Sequence, residues 1–149
     1  MTDEYAEYEK ACERLRKDNG KLLQAFAEWL QSKGLSLPTV RKHRYNIDFY
    51  INHYLLAYEP LEPAVGVSDV GMFLGDWFIR KAMWSNQAAI NSNAASLKKF
   101  YAFMHENGLV DKSELDGLNS EIKEGMPDWL ETMERYENPD FDIDAVWGL

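Results

Sequence analysis

The sequence predicts an all-α protein, a single orthogonal helical bundle with a four-helix core and additional helices at its N- and C-terminal ends. Apolar residues recur at intervals of three and four through most of the chain, which is the spacing of one helix face. No stretch alternates apolar and polar residues with the period of two that a half-buried strand requires. The 149 residues suit one domain, and no repeat of fixed period divides them.

The first part of the chain predicts two helices. Residues 3–17 are charged and weakly amphipathic, so the segment 1–19 is expected to hold a peripheral N-terminal helix. A second helix is expected from about residue 20 to residue 33, where it ends at Gly34 because glycine readily takes the left-handed conformation of a helix end. Its apolar stripe consists of Leu22, Leu23, Phe26, Trp29 and Leu30.

Two further helices are expected on either side of a proline-containing connector at residues 59–66. Ser36 is the expected N-cap of the first, with Pro38 in the first turn, where a missing N–H does no harm. Ser68 is the expected cap of the second. Within this second helix, Gly71 and Gly75 have the spacing that permits another helix to cross closely. The stripes are Val40, Ile47, Ile51 and Leu55, and then Val70, Phe73, Leu74, Trp77 and Phe78.

The strongest helical pattern begins at Ser85 or Asn86 and is expected to end at Gly108. Its stripe is Ile90, Ala94, Leu97, Tyr101 and Met104. The acidic region 110–137 predicts two shorter helices, 111–123, opened by an Asp111–Glu114 capping box, and 127–136. The acidic segment 138–149 lacks helical signals and is expected to be loose unless its apolar residues dock on the bundle. These residues are Phe141, Ile143 and Trp147.

The distribution of charge is more informative than the net charge of −9. Residues 21–56 carry five basic and two acidic residues, and residues 80–106 carry four and one, so each block has a net charge of +3. Residues 107–149 carry 12 acidic and three basic residues. A uniformly acidic protein would repel nucleic acid, whereas two basic blocks ahead of an acidic region do not exclude such a partner.

A soluble, cytoplasmic protein is expected. The single cysteine, Cys12, allows no internal disulfide, which is typical of a reducing compartment. The first residues are acidic and lead into no apolar signal region. No stretch reaches the roughly 18 apolar residues of a membrane span, so no membrane partner is expected.

No pattern of catalytic or metal-binding residues is apparent, so an enzyme, a metal site and a cofactor are not expected. His43, His53 and His105 lie far apart in the sequence and are expected at the surface or half-buried. Glycines do not cluster into a phosphate loop, and no serine or cysteine lies in a nucleophile motif. Most aromatic residues fall on or beside the apolar stripes and are expected in the core, whereas Trp84 is a candidate surface anchor.

Two stretches carry a recognisable family pattern. The first comprises FAEWL at residues 26–30 and KGLS at residues 33–36, followed by Thr39 and, four residues later, His43. The second, residues 95–104, is a small–x–hydrophobic–basic–basic–aromatic run that ends in an aromatic–aliphatic pair. In this order the stretches resemble the N-terminal, SAM-like core-binding domain of phage integrases and tyrosine recombinases.

The resemblance implies that residues 20–109 form a SAM-like four-helix core that clamps one face of duplex DNA. Basic residues on its second and fourth helices would contact the phosphate backbone or the major groove. At the matching positions these are Arg41, Lys42 and Arg44 on the second helix, and Lys98 and Lys99 on the fourth. Lys33, Arg80 and Lys81 are expected to extend the patch.

The sequence departs from the recombinase pattern after residue 109. Family members continue into a catalytic domain with arginines, an HxxR box and a tyrosine nucleophile, but this sequence has no HxxR, and residues 110–149 are too few to build that domain. The basic linker of the family is replaced by VDKSE at residues 110–114. DNA clamping without cutting, as an accessory to recombination or mobile elements, is therefore one interpretation. The alternative is a protein-interaction module that binds a partner through the acidic C-terminal region.

Overall fold

The structure is a computed structural model that describes residues 2–82 and 84–137, and every regular element in those ranges is helical. The predicted all-α class is therefore confirmed. None of the described helices combines the length and the apolar character needed to cross a bilayer. The expectation for residues 138–149, including Phe141, Ile143 and Trp147, lies outside the described residues.

The first helix, α1 (Thr2–Ser32), is continuous, so the prediction of a separate peripheral helix before residue 20 was wrong. A lone glycine inside a helix costs only about 1 kcal/mol relative to alanine, and Gly20 therefore does not interrupt it. The adjacent Asn19 is buried, and its side-chain amide donates to the Asn52 carboxamide oxygen at 2.8 Å. The helix is followed by Gly34 at φ +88°, as expected.

The second helix, α2 (Leu37–Phe49), continues into a π-helical turn at Tyr50–Tyr54. Ser36 is its N-cap and Pro38 lies in its first turn, which confirms the predicted start. The Ser36 hydroxyl group donates to the Thr39 hydroxyl oxygen at 3.0 Å rather than capping a backbone N–H.

The predicted fourth helix is instead a sequence of short helical pieces. Ser68 does not cap it: Ser68 ends a 3₁₀ turn, and Asp69 occupies the N-cap position of the next piece. The pieces are a 3₁₀ helix (Val65–Ser68), α3 (Val70–Met72), a π-helical turn (Phe73–Trp77) and α4 (Phe78–Lys81).

The next helix, α5 (Gln87–Glu106), begins as predicted, because the Asn86 side chain accepts a hydrogen bond from the Ala89 N–H at 2.6 Å. Gly108, at φ +72°, follows its end. The last helix, α6 (Lys112–Glu137), runs through Pro127, so the prediction of two separate helices was wrong.

The predicted capping box at the start of α6 is confirmed. The Glu114 N–H donates to an Asp111 carboxylate oxygen at 2.7 Å, and the Asp111 N–H donates to a Glu114 carboxylate oxygen at 3.0 Å. Downstream of Pro127, α6 packs its apolar residues against the core, which keeps the helix continuous. These are Trp129, Leu130 and Met133.

The close helix crossing expected at Gly71 and Gly75 is confirmed, because α6 lies against both glycines. The Gly71 N–H donates to a Glu121 carboxylate oxygen at 2.7 Å. A Cβ atom on Gly75 would lie only 2.6 Å from the Trp129 indole nitrogen. The core that this packing completes contains the aromatic residues predicted from the stripes. Phe26, Phe73, Phe100, Tyr101 and Phe103 are buried, and Trp29 and Trp77 pack against them.

Candidate nucleic-acid interface

The candidate interface lies on α2 and α5, which pack against each other in the middle of the bundle. Both helices carry apolar residues inward and cations outward: Arg41, Lys42 and Lys98 are exposed, and Arg44 and Lys99 are half-buried. Long basic side chains in such positions keep their charged ends in water while their stems cover apolar surface.

A polar cluster joins the two helices beneath these cations. The His43 Nδ1 atom lies 2.7 Å from the Ser96 hydroxyl oxygen, and the Asn46 amide donates to the same oxygen at 2.9 Å and to the Ser92 hydroxyl oxygen at 3.0 Å. His43, Asn46 and Ser96 are buried. Because each buried polar group has a partner, the cluster fixes the relative position of α2 and α5.

The electrostatics of His43 show which cations lie near the joint. Burial lowers the pKa of the His43 imidazole, and the positive charges of Lys42 and Lys99 lower it further. Lys42 belongs to α2 and Lys99 belongs to α5, so one cation from each helix acts on the same imidazole.

Arg41 and Arg44 lie on the side of α2 that faces α1. Both line a groove of about 400 Å³ whose floor includes Gly20 and Leu23. The Arg44 guanidinium donates to the Gln24 side-chain oxygen of α1 at 3.0 Å. Gln24 is uncharged, so this hydrogen bond does not neutralise the guanidinium group, which can still attract an anion.

Lys98 and Lys99 do not share one direction. Neighbouring residues of an α-helix are about 100° apart, so the two side chains diverge from α5. Lys99 follows Ser96, which contacts α2, by three residues and therefore lies on the same side of α5, whereas Lys98 lies on an exposed face with Asn91 and Ala95. Lys42 and Lys99 both act on His43, whereas Lys98 lies on another face of α5, so one face that holds all of these cations stays a prediction.

Two of the expected flanking cations are paired within the chain. The Lys33 ammonium lies 3.8 Å from a Glu106 carboxylate oxygen and 5.3 Å from the centre of the Trp29 ring. The Arg80 guanidinium donates two hydrogen bonds to Asp76, at 2.8 and 2.9 Å. The Asp76 pKa is correspondingly lowered. These two cations are less available to phosphate, whereas Lys81 is exposed at the end of α4.

The acidic helix α6 packs against α5 and against the segment 65–81. Its ion pairs are internal, Lys112 with Asp116 at 3.6 Å and Arg135 with Glu131 at 3.1 Å. Within residues 2–82 and 84–137, no carboxylate of α6 forms an ion pair with a cation of α2 or α5.

The polar joint was not predicted from the sequence, and all three histidines were expected at the surface or half-buried. That expectation was wrong for His43, which is 4% exposed, whereas His53 is exposed and His105 is half-buried. A signal was present, because His43 and Asn46 interrupt the apolar stripe of α2, and Ser92 and Ser96 stand one helical turn apart on α5. Polar residues at positions that point inward usually bond one another.

No group of three or more metal-ligating side chains converges in the part of the chain that the structure describes. Cys12 is buried on α1. Comparison of the chain with protein families, with curated proteins and with solved structures finds no match.

Proposed function

We propose that this chain is a non-catalytic, cytoplasmic helical domain that binds duplex DNA weakly through the outer faces of α2 and α5. The observation that carries the proposal is the joint of His43, Asn46 and Ser96, around which Lys42 and Lys99 approach from two helices. On this proposal these two cations contact phosphate, and Arg41, Arg44 and Lys98 extend the positive surface.

The helix order is in keeping with the recombinase-like clamp. The second half of α1, then α2, the segment 70–81 and α5 follow one another as the four core helices of that domain would, and the two proposed DNA-contacting helices are the second and the fourth. On this proposal the domain is SAM-like and orthogonal, and it acts as an accessory in recombination or in a mobile element.

A net charge of −9 predicts weak and strongly salt-dependent affinity. Fluorescence anisotropy with a labelled random duplex, titrated at several salt concentrations, measures both quantities. Each lost phosphate contact reduces the slope of log K against log salt by about 0.9. We therefore expect Lys42→Ala and Lys99→Ala each to weaken binding and to lower that slope by about 0.9.

Lys123→Ala provides the matched control, because it removes one exposed lysine charge from α6, away from the proposed interface. Equal losses from Lys123→Ala and Lys42→Ala would mean that only the net charge matters, and would contradict a defined interface. Absence of binding at low salt would contradict the proposal entirely.

A protein-interaction module remains the second candidate, and the exposed acidic face of α6 favours it. Glu124, Asp128 and Glu134 are exposed, and among the described residues none of them forms an ion pair. A basic protein partner would complement such a face. Binding to that partner would be weakened by Glu124→Gln or Glu134→Gln and left unchanged by Lys99→Ala.

A further inference from the structure

The outer face of α2 borders a cleft of about 260 Å³ with aromatic walls. Tyr45, Phe49 and His53 line it from α2 and its π-helical turn, Trp84 lines it from the segment before α5, and Asp48 contributes a carboxylate. Tyr45 is 59% exposed and Trp84 is 45% exposed. Two large rings that remain in water within one cleft provide a surface that a flat ligand would cover.

One wall of this cleft is packed against the aromatic core. The Phe49 ring lies edge-on to Trp84, with ring centres 4.9 Å apart, and stacks on His53 at 5.4 Å. Behind them, Phe49 contacts Phe73 and Trp77, which belong to the aromatic core. Trp84 is therefore seated on packed rings, and its orientation costs a ligand little ordering entropy.

One π-helical turn borders the cleft, and it packs on a second such turn. His53 is part of the turn at Tyr50–Tyr54, and that turn packs on the turn at Phe73–Trp77 through Tyr54 and Trp77, whose ring centres are 5.2 Å apart. π-Helical turns are rare, and they occur frequently at functional sites.

Cations adjoin the aromatic cleft on the same helix. Tyr45 and Asp48 also line the groove that holds Arg41 and Arg44. Lys42 precedes Tyr45 by three residues, so the two side chains are neighbours on the helix surface. An aromatic surface beside several cations matches a nucleotide, which joins a flat base to a phosphate.

The carboxylate of Asp48 indicates which part of a nucleotide enters the cleft. A phosphate would be repelled by it, whereas an exocyclic amino group of a base donates hydrogen bonds that a carboxylate accepts. One Asp48 oxygen already accepts from the Asn52 amide at 2.6 Å, which orients the carboxylate and leaves its second oxygen for a ligand.

We propose that this cleft takes an unpaired base of DNA, stacked on Tyr45 and Trp84, with Asp48 accepting from its amino group and the arginines holding the flanking phosphates. The inference rests on the proposed DNA-binding function and deepens it. It names a structural feature of the DNA, an extrahelical base, that the protein would favour over a continuous duplex.

Anisotropy titrations of two labelled duplexes at one salt concentration test the proposal, one fully paired and one with a single bulged cytosine. We expect the bulged duplex to bind about tenfold more tightly, in line with the stacking of one base. Tyr45→Ala and Trp84→Ala should abolish this preference and leave the affinity for the paired duplex unchanged. Tyr5→Ala, a tyrosine of α1 that is 64% exposed, is the matched control and should change neither affinity.

The identity of the bulged base provides a second readout. Thymine has no exocyclic amino group, so a bulged thymine should bind more weakly than a bulged cytosine. Asp48→Asn should reduce or reverse that difference, because the amide can donate to the thymine carbonyl.

The affinities for the paired and the bulged duplex test the base-binding cleft separately from the duplex-binding function. Equal affinity of wild-type protein for both duplexes overturns the cleft and leaves the duplex-binding function standing, whereas no binding to either duplex overturns both. A lysine pentapeptide tests the competing ligand chemistry, a cation against the aromatic rings. If Tyr45→Ala abolishes binding of that peptide while the two duplexes bind equally, the cleft is a site for a basic protein side chain and the base proposal is overturned.

Discussion

The imidazole of His43 and the hydroxyl group of Ser96 lie 2.7 Å apart and connect the middle of α2 to the middle of α5. The Ser96 hydroxyl group also donates to the Ser92 carbonyl oxygen at 3.0 Å and accepts from the Asn46 amide at 2.9 Å. Both side chains are buried, and the proposed DNA-contacting lysines of the two helices lie around this contact.

Ser96→Ala is expected to destabilise the protein by about 1–3 kcal/mol, because it removes the hydroxyl group to which the buried His43 and Asn46 side chains both hydrogen-bond. Urea unfolding followed by circular dichroism measures the loss. Ser120→Ala, an exposed serine of α6, is the matched control and should change the free energy of unfolding by less than about 0.5 kcal/mol. A Ser96→Ala variant as stable as this control would show that the joint contributes nothing to the fold.

Stability should decrease in acid through His43. Burial lowers the pKa of the folded imidazole, so the unfolded chain binds the proton more readily. The stabilisation is therefore complete above the unfolded pKa of about 6.5 and falls as the pH drops below it, with a slope of at most about 1.4 kcal/mol per pH unit for one proton.

Urea unfolding between pH 8 and pH 5 tests this expectation. His43→Gln retains a hydrogen-bonding side chain but cannot take up the proton, so its free energy of unfolding should depend less on pH than that of the wild-type protein. Identical pH slopes for the two proteins would show that His43 does not titrate differently in the folded and unfolded states.

Much of the helical framework was predictable because its signals are local. Asn86 and the pair Asp111 and Glu114 mark helix starts through side-chain hydrogen bonds to nearby backbone groups, and Gly34 and Gly108 mark helix ends through positive φ angles. These contacts involve residues within one turn of each other, so the sequence alone specifies them.

The errors arose where tertiary packing overrides a local signal. Gly20 does not interrupt α1, where the neighbouring Asn19 is buried. Pro127 does not interrupt α6, where the following Trp129 packs against the core. The π-helical turn at Tyr50–Tyr54 was not predicted, and both of its tyrosine rings pack on Phe73, which is distant in the sequence.

The sequence predicted which basic residues make up the candidate site and which helices carry them. It did not predict which other side chains contact those residues. The pairing of Arg80 with Asp76 could be inferred from their spacing of four residues on one helix. The pairing of Lys33 with Glu106 joins residues distant in the sequence and required the folded structure. The position of Tyr45 beside Trp84 likewise depends on how α2 packs against the segment before α5.

Gly75→Ala should destabilise the protein by about 1–3 kcal/mol, because its Cβ atom would lie 2.6 Å from the Trp129 indole nitrogen and force α6 away. Gly20→Ala is the opposite case, since nothing lies within 4 Å of a Cβ atom at this helical position. This control should stabilise the protein by about 0.5–1 kcal/mol through the higher helix propensity of alanine. Thermal unfolding of both variants measures the difference, and a stabilising Gly75→Ala would contradict the close packing of α6.

Pro127→Ala should raise the stability of the protein, because proline in a helix interior removes one backbone hydrogen bond and collides with the preceding turn at a cost of about 3 kcal/mol. The Pro127 side chain is exposed, so its removal sacrifices little packing. We expect a gain of about 1–3 kcal/mol in the free energy of unfolding, measured in urea. Pro38→Ala is the matched control, since Pro38 lies in the first turn of α2, where no backbone hydrogen bond is missing, and it should give no such gain. A loss of stability from Pro127→Ala would instead mean that packing of α6 on the core requires the bend that proline imposes.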